Sequence, residues 1–228
     1  MSHLRPSPPG NRVYLAEDHP CVCEYISHVC GPLGLIVCGS APDARQALAE
    51  IRSLKPALVI VDLTLRNSHG LDLIRNIRAL TNPPRILVFS AHDESIYAER
   101  AIRAGALGYV RKTAGQIEIV QAIERVLHGH WHLSPDLTAH MVLHAVVHSP
   151  TPGELPFHRL TDRELQVFEA IGRALSTREI AHLLGIGSKT VETYRMRIRE
   201  KLGLETLPQL MRAAVQFAHP HPPGGSAP

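Results

Sequence analysis

The sequence predicts an α/β protein, a doubly wound five-stranded parallel sheet, joined to a small all-α domain. In the first 130 residues short apolar runs alternate with amphipathic segments, which is typical of parallel strands connected by helices. After residue 157 only helical patterns follow, and two of them begin with a capping sequence. These observations place a larger α/β domain before a smaller helical one.

The five predicted strands are continuous apolar runs, as expected for strands that are buried on both faces. They cover residues 13–16, 35–41, 57–61, 85–91 and 108–110. Helices are predicted over residues 21–30, 43–54, 71–80, 95–104 and 116–127. In the second helix Ala44, Ala47, Leu48 and Ile51 repeat at i, i+3, i+4 and i+7, which gives one apolar stripe.

Composition divides the chain into four parts. The α/β domain spans 11–130, a linker spans 131–156, the helical domain spans 157–219 and a disordered tail is expected over 220–228. A helix is predicted over 136–147 inside the linker. His140, His144 and His148 recur four apart there and could share a metal, although solvent-exposed side chains are the favoured interpretation.

Charge and hydropathy limit the classes of partner. The formal net charge is only +3, but residues 188–202 hold five Lys or Arg against two Glu, a local stripe that indicates an anionic partner. The first residues have no apolar segment of a signal peptide, and no run reaches the roughly 18 apolar residues that span a bilayer. We therefore expect a cytoplasmic protein without a membrane partner.

The four cysteines, Cys21, Cys23, Cys30 and Cys38, lie close together in the chain. In a cytoplasmic protein of this size free thiols are expected. A metal or redox role stays open, but the spacing matches no common zinc pattern and three of the four belong to one predicted helix.

Charged or polar residues stand where four of the predicted strands end. The first strand runs into Glu17 and Asp18, the third into Asp62, the fourth into Ser90 and the fifth into Lys112. Because the carboxyl ends of parallel strands share one edge, these side chains are expected to meet. Clustered carboxylates favour a divalent cation such as Mg²⁺. Asp62 could then attack phosphorus, with Lys112 and the Ser90 hydroxyl on the phosphoryl oxygens.

Several separated motifs resemble the receiver domain of bacterial two-component response regulators over about residues 11 to 130. They are EDH at 17–19, the strand that ends in Asp62 with Gly70 eight residues later, FSA at 89–91 and GALGYVRK at 105–112. The resemblance implies that Asp62 is the phospho-acceptor. It also implies the following roles: Mg²⁺ ligands Glu17, Asp18, Asp62 and the Thr64 carbonyl, a switch pair Ser90 and Tyr109, the phosphoryl partner Lys112, and a small Ala91 for phosphate access.

Two departures concern the loops around this site. The MPG that usually follows the acceptor is replaced by Arg66-Asn67-Ser68, which removes a proline that stiffens the loop. Thr113 follows Lys112 where proline is common in the family. An aspartyl-phosphate phosphatase of the haloacid dehalogenase type shares the fold but needs an acid two residues after the nucleophile, where this chain has Thr64.

The helical domain shows the pattern of a helix-turn-helix. Thr161 with Glu164 and Ser176 with Glu179 form capping boxes. Further features are a small Ala181, Gly185 at the turn, and a buried side formed by Val191, Ile198 and Leu202 with Tyr194 beside it. The segment resembles the LuxR-type helix-turn-helix, and TVETYRMRIREKLG resembles the FixJ-like branch of NarL/FixJ response regulators, which usually has histidine at the position of Tyr194.

This second resemblance implies that Ser188 to Leu202 is a recognition helix in the DNA major groove. The residues expected on phosphates are Lys189, Thr190 and Arg199. Those expected at base edges are Glu192, Thr193, Met196 and one of Arg195 and Arg197.

The leading hypothesis is a DNA-binding transcriptional regulator, not an enzyme, that a sensor histidine kinase switches by phosphorylating Asp62. It is expected to bind promoter DNA as a homodimer, with RNA polymerase as a possible further partner. The alternatives are an atypical regulator that binds DNA without phosphorylation, and a receiver that acts mainly through protein partners. DNA binding that does not change with beryllofluoride would favour the atypical regulator. The absence of a salt-dependent DNA affinity would favour the receiver that acts through protein partners.

Overall fold

A computed structural model of the 228-residue chain describes residues 10–66, 68–135, 137–139 and 156–218. It divides into two compact units, residues 1–149 and 150–228. Within the described ranges no helix is long and apolar enough to cross a membrane. Residues 137–139 are helical, but the rest of the helix predicted over 136–147, with His140, His144 and His148, lies outside the described residues, as does the predicted tail.

The first unit contains the predicted parallel sheet. Its strands are β1 (Arg12–Ala16), β2 (Ile36–Ala41), β3 (Leu58–Val61), β4 (Arg85–Ser90) and β5 (Gly108–Arg111). They are ordered β2-β1-β3-β4-β5, and every neighbouring pair is parallel. The strand order reverses beside β1, so the carboxyl ends of β1 and β3 frame the crevice where such sheets bind ligands.

Five helices cover the two faces of this sheet. They are α1 (Pro20–Cys30), α2 (Ala44–Leu54), α3 (Gly70–Arg78), α4 (Glu94–Ala104) and α5 (Gln116–Leu127). Alternate strand residues such as Leu15 and Ile60 pack with α1 and α5 in one apolar cluster. Their neighbours Tyr14 and Val59 are fully buried on the opposite face. The predicted burial of the strands on both faces is confirmed, and it explains why their sequences are continuous apolar runs.

The segment after β3 is the main local feature that the sequence patterns missed. Thr64–Leu65 and Ser68–His69 form a small antiparallel pair, which we call the acceptor hairpin. The Arg66 backbone N–H donates to the Pro42 carbonyl at 2.7 Å, and the Ser68 hydroxyl accepts from the Ala44 N–H at the start of α2. These two bonds hold the acceptor hairpin against the residues that lead into α2.

The chain beyond α5 returns to the edge of the sheet. His132 donates its N–H to the Leu107 carbonyl at 3.0 Å, and its own carbonyl accepts from the Tyr109 N–H at 3.2 Å. A methyl group on Gly108 would lie 3.1 Å from the His132 carbonyl oxygen, so the absence of a side chain permits this close approach. The start of the linker is thereby hydrogen-bonded to β5.

The described residues of the second unit, 156–218, form four α-helices preceded by a short 3-10 turn, Pro156–Arg159. The helices are α6 (Asp162–Gly172), α7 (Thr177–Leu184), α8 (Ser188–Leu202) and α9 (Leu207–Ala218). Both predicted capping boxes are present. Gly185 ends α7 in the left-handed region at φ 62°, which a glycine adopts without strain.

A buried ion pair connects α6 with α8. Glu164 is 2% exposed, and one of its carboxylate oxygens accepts hydrogen bonds from the Thr161 N–H at 2.7 Å and from the Lys201 ammonium at 2.6 Å. Burial alone would raise the pKa of Glu164, but the bonds from Lys201 and Thr161 outweigh it and lower the pKa below its ordinary 4.5. The ionised carboxylate therefore stabilises the folded unit.

Glu164→Gln is expected to destabilise this unit at neutral pH by about 1–3 kcal/mol, since the buried hydrogen bond to a charged partner is weakened. Because the folded pKa is lowered, the stabilisation is complete above the unfolded pKa and is lost as pH falls through the folded pKa. Hydrogen exchange of residues 162–202 in the full chain measures the opening free energy. The exposed Glu200→Gln is the control, and an equal change in both variants would contradict the prediction.

Candidate functional site

The strand-end residues meet in one pocket at the carboxyl edge of the sheet. Asp62 is 4% exposed, and its two carboxylate oxygens have different partners. Oδ1 accepts the Ser90 hydroxyl at 2.8 Å, while Oδ2 lies 2.8 Å from the Lys112 ammonium. The same ammonium lies 2.6 Å from Glu17 Oε2. Four of the residues predicted from the strand ends are thus in direct contact.

Charge balance explains how two carboxylates remain buried side by side. Burial by itself lowers the pKa of Lys112, but the hydrogen bonds and charges of Asp62 and Glu17 outweigh this and raise the pKa of Lys112 above its ordinary value. The ammonium therefore stays protonated and bridges both acids. One cation still faces three acids, counting Asp18, so the pocket keeps an excess of negative charge.

A second set of oxygens is available to a cation. Asp18 Oδ1 is shielded from solvent and makes no hydrogen bond, although it lies 2.8 Å from His19 Nδ1. One donor atom from each of Glu17, Asp18, His19 and Asp62 lies within 4.8 Å of the others. A buried carboxylate oxygen without a hydrogen bond is unfavourable, so the pocket has the composition of a metal-ion site.

A small network beside Asp62 joins the acceptor hairpin, the loop after β4, and β5. The Tyr109 hydroxyl donates to the His92 carbonyl at 3.0 Å, and the Thr64 hydroxyl lies 2.8 Å from His92 Nε2. Tyr109 is buried, and this burial together with the charge of Asp62 raises its pKa, so the phenol stays protonated. Ala91, between Ser90 and His92, is exposed and offers little steric cover to the pocket.

Gly70 fixes the approach of α3 to Asp62. A methyl group at this position would lie 2.3 Å from the carbonyl oxygen of Asp62 and 2.7 Å from Leu63 Cα, closer than real Cβ contacts. The Gly70 N–H donates to the Leu63 carbonyl at 2.9 Å. The glycine eight residues after Asp62 is thus required by close backbone packing.

The second candidate region is the outer face of α8. Val191 and Ile198 are fully buried, as predicted, whereas Leu202 and Tyr194 are half-buried. Among the predicted DNA contacts, the exposed residues are Lys189, Thr190, Glu192, Met196 and Arg197, and the half-buried ones are Thr193, Arg195 and Arg199.

Contacts distinguish two of these side chains from the others. Glu192 Oε1 accepts the Thr177 hydroxyl from α7 at 2.9 Å and lies 3.3 Å from an Arg195 guanidinium nitrogen. The Arg195 side chain is only 16% exposed. Glu192 is therefore held in place by two neighbours, and Arg197 is the more accessible of the two arginines considered for base contact.

Comparison with known proteins agrees with both regions. A model of the response regulator receiver domain matches residues 13–124, and a model of bacterial regulatory proteins of the luxR family matches residues 158–214. The response regulator GacA of Pseudomonas aeruginosa is 32% identical over 206 residues, which cover 90% of this chain and 95% of GacA. The chain is a response regulator of the NarL/FixJ family.

Other relatives match all or part of the chain. The response regulator UvrY of Escherichia coli K12 is 30% identical over 90% of this chain and 93% of UvrY. A LuxR-family response regulator structure from Aurantimonas covers 60% of this chain and 98% of its own, with 37% identity and a TM-score of 0.54. A structure of Salmonella RcsB, bound to a promoter in the presence of phosphomimetic beryllofluoride, covers 90% of this chain and 98% of its own with a TM-score of 0.68. Its sequence identity is 20%, so this similarity shows the fold alone.

The regulator is thus a DNA-binding transcriptional regulator of two-component signalling, and its predicted fold class is confirmed. Sequence reasoning assigned no role to His19, His92 or Thr177. His19 was visible in the EDH motif, directly after the predicted metal ligands. His92 contacts Thr64, which is 28 positions away in the sequence, and Thr177 contacts Glu192, which is 15 positions away. No local sequence pattern predicts contacts over such separations.

Lys112→Met is expected to destabilise the metal-free receiver domain by about 2–4 kcal/mol, because Glu17 and Asp62 would remain buried without their shared cation. Urea unfolding in a chelator is followed by the fluorescence of Trp131, the single tryptophan of the chain, which directly follows the receiver domain and whose carbonyl accepts from Arg125 of α5 at 3.0 Å. Arg111→Met removes an adjacent but exposed cation and should have little effect. Equal losses in the two variants would show that Lys112 does not stabilise the pocket.

Proposed function

We propose that a sensor histidine kinase phosphorylates Asp62 and that this modification controls binding of α8 to promoter DNA. The observation that carries the proposal is the pair of contacts made by the Asp62 carboxylate. A serine hydroxyl bonds one oxygen and a lysine ammonium bonds the other, so both groups stand where phosphoryl oxygens would arrive. GacA and UvrY, the full-length relatives, carry the name response regulator.

In the proposed step an oxygen of Asp62 attacks the phosphorus of a phosphohistidine on the kinase. The new P–O bond forms as the P–N bond breaks, and the electron pair returns to the imidazole. Lys112 neutralises negative charge on the transferred phosphoryl group. The Ser90 hydroxyl, which donates to Asp62 Oδ1 before the transfer, can then donate to a phosphoryl oxygen instead. The exposed Ala91 leaves room for the donor.

The residues of the pocket fit Mg²⁺, with Glu17, Asp18 and Asp62 as carboxylate ligands and the Thr64 carbonyl as the remaining protein ligand. The unpartnered Asp18 Oδ1 supports this set, as does the preference of Mg²⁺ for a few carboxylates with phosphoryl oxygens. Bound Mg²⁺ would offset the negative charge of the phosphoryl oxygens. Lys112 engages Glu17 Oε2 and Asp62 Oδ2, and the other two oxygens, Glu17 Oε1 and Asp62 Oδ1, would bind the ion beside their hydrogen bonds from the His19 N–H and the Ser90 hydroxyl.

The switch is proposed to pass from Asp62 through Ser90 and Tyr109 to the linker. Ser90 Oγ accepts a long bond from the His92 N–H at 3.4 Å, and Tyr109 donates its hydroxyl to the His92 carbonyl. The Tyr109 N–H in turn bonds His132, where the linker begins. Movement of Ser90 toward a phosphoryl oxygen would therefore disturb contacts of β5 and of the linker. Phosphorylation shifts the equilibrium only by stabilising one arrangement more than the other.

Asp62→Asn is expected to abolish labelling by a small radioactive phosphodonor in the presence of Mg²⁺, because the amide oxygen is a far weaker nucleophile. Asp72→Asn, a half-exposed acid on α3, should be labelled like the unmodified protein. Retained labelling of the Asp62 variant would place the acceptor elsewhere. DNA binding that is unchanged by both beryllofluoride and Asp62→Asn would instead favour the atypical regulator.

For DNA we propose that α8 enters the major groove, with Lys189, Thr190 and Arg199 at phosphates. Thr193, Met196 and Arg197 would then reach base edges. Arginine donates in a bidentate manner to guanine, and methionine or a threonine methyl can contact the methyl group of thymine. Glu192, which bonds Thr177 and Arg195 within the protein, is proposed to accept from cytosine with its carboxylate already oriented.

A homodimer is supported by the surface of α9. Leu207, Met211 and Val215 recur every four residues and are each more than 40% exposed. An apolar stripe of this kind is typical of an interface between helices. Two copies would present two recognition helices to half-sites about one helical turn apart.

Arg197→Ala is expected to weaken binding to the specific promoter site by about 1–3 kcal/mol and to relax base preference at one position. Lys189→Ala should instead weaken specific and non-specific DNA alike and reduce the salt slope by about 1. Fluorescence anisotropy at several salt concentrations measures both, with Arg173→Ala, directly after α6, as a charge-matched control. Equal losses on specific and random DNA for Arg197→Ala would assign that residue to the phosphates.

We also propose the domain limits given above, 11–130 for the receiver, 131–156 for the linker and 157–219 for the DNA-binding domain. A cytoplasmic location is consistent with partners that include promoter DNA. The regulator is proposed to act by binding rather than by catalysing a reaction on a small-molecule substrate.

A further inference from the structure

His19 lies against the acid pocket but has no role in the proposed phosphorylation. It is the residue before α1, yet its side chain makes no capping bond to the helix. Its Nδ1 lies 2.9 Å from Glu17 Oε1 and 2.8 Å from Asp18 Oδ1. The His19 backbone N–H also donates to Glu17 Oε1 at 3.0 Å, which holds the residue at the pocket.

Hydrogen bonding alone does not satisfy these three atoms. A single Nδ1–H can be donated well to only one oxygen, and the bond with the proper geometry is to Glu17. Asp18 Oδ1 therefore remains without a hydrogen bond at 2.8 Å from the ring nitrogen. A shared cation would interact favourably with all three atoms.

The spacing of the atoms matches a coordination shell. An octahedral ion with ligand distances of about 2.1 Å has neighbouring ligands about 3.0 Å apart. The distances of 2.8 and 2.9 Å from His19 Nδ1 to the two oxygens are close to this edge length. The His19 side chain is 59% exposed, so the proton of a neutral ring can reside on Nε2 while Nδ1 binds the ion.

We infer that His19 Nδ1 is a further ligand of the metal ion in this pocket, which gives the site a mixed donor set of carboxylates and one imidazole. Carboxylate sites suit Mg²⁺ and Mn²⁺, whereas imidazole suits later transition metals such as Co²⁺, Ni²⁺ and Zn²⁺. His19 would thus bias the regulator towards transition-metal ions. The inference rests on the proposed function only in placing the ion at Glu17, Asp18 and Asp62.

The test compares Co²⁺ and Mg²⁺ binding to the full chain. Bound Co²⁺ is followed by its visible absorption, and only the fraction that Mg²⁺ displaces is counted, because the chain has 15 histidines. His19→Ala is expected to weaken this Co²⁺ binding by about tenfold or more. Its Mg²⁺ affinity, measured by calorimetry, should change by less than about threefold. His19→Gln keeps a side chain of similar size and should show the same selective loss.

His28→Ala is the matched control, since His28 is an exposed histidine in the last turn of the same helix. Unchanged Co²⁺ affinity in His19→Ala would overturn the inference, and so would parallel losses of Co²⁺ and Mg²⁺. Asp18→Asn tests the metal site of the proposed function separately from the role of His19. It should lower the affinity for both Co²⁺ and Mg²⁺ whether or not His19 is a ligand. If Asp18→Asn leaves both affinities intact, the metal site of the proposed function is wrong.

Discussion

The structure of the receiver depends on one ammonium group shared by two buried carboxylates. Glu17 and Asp62 end β1 and β3, and Lys112 follows β5, with β4 between β3 and β5. Neighbouring strands are about 4.8 Å apart, so two strand spacings separate the lysine backbone from the acceptor strand. A lysine can extend over this distance, and its charge makes burial of the two acids tolerable. The strand order, the acids and the lysine are therefore interdependent.

The backbone around Asp62 is held on three sides, whereas one oxygen of the neighbouring Asp18 lacks a hydrogen bond. Gly70 brings α3 against the Asp62 carbonyl, Arg66 ties the acceptor hairpin to Pro42, and Thr64 contacts His92 in the loop before α4. Asp18 Oδ1, by contrast, has no hydrogen bond. A fixed backbone beside an unsatisfied carboxylate oxygen would let the pocket bind the proposed ion and phosphoryl group with little rearrangement.

Much of this arrangement could be predicted from the sequence, for identifiable reasons. All five strands could be predicted from continuous apolar runs, because strands buried on both faces require such runs. Asp62, Ser90 and Lys112 could be predicted because they stand at or next to the carboxyl ends of these strands. Helix α3 ends at Arg78, two residues earlier than predicted, because the Leu80 N–H bonds the Ile77 carbonyl, three residues back, and closes the last turn. The acceptor hairpin was not predicted, because two-residue strands have no periodicity and are held by contacts with a distant loop. For the same reason the orientation of Glu192 by Thr177 emerged only from the structure.

A continuous set of hydrogen bonds relates the acceptor to the start of the linker. It runs from Asp62 to Ser90, through the backbone of His92 to the Tyr109 hydroxyl, and from the Tyr109 N–H to His132. The weakest member is the 3.4 Å bond between the His92 N–H and Ser90 Oγ, beside the atom that a phosphoryl group would engage. Tyr109 thus donates its hydroxyl to one loop and its backbone N–H to another. In the proposed switch, movement of Ser90 would act on the first of these bonds through His92, and the second bond would connect β5 to the start of the linker.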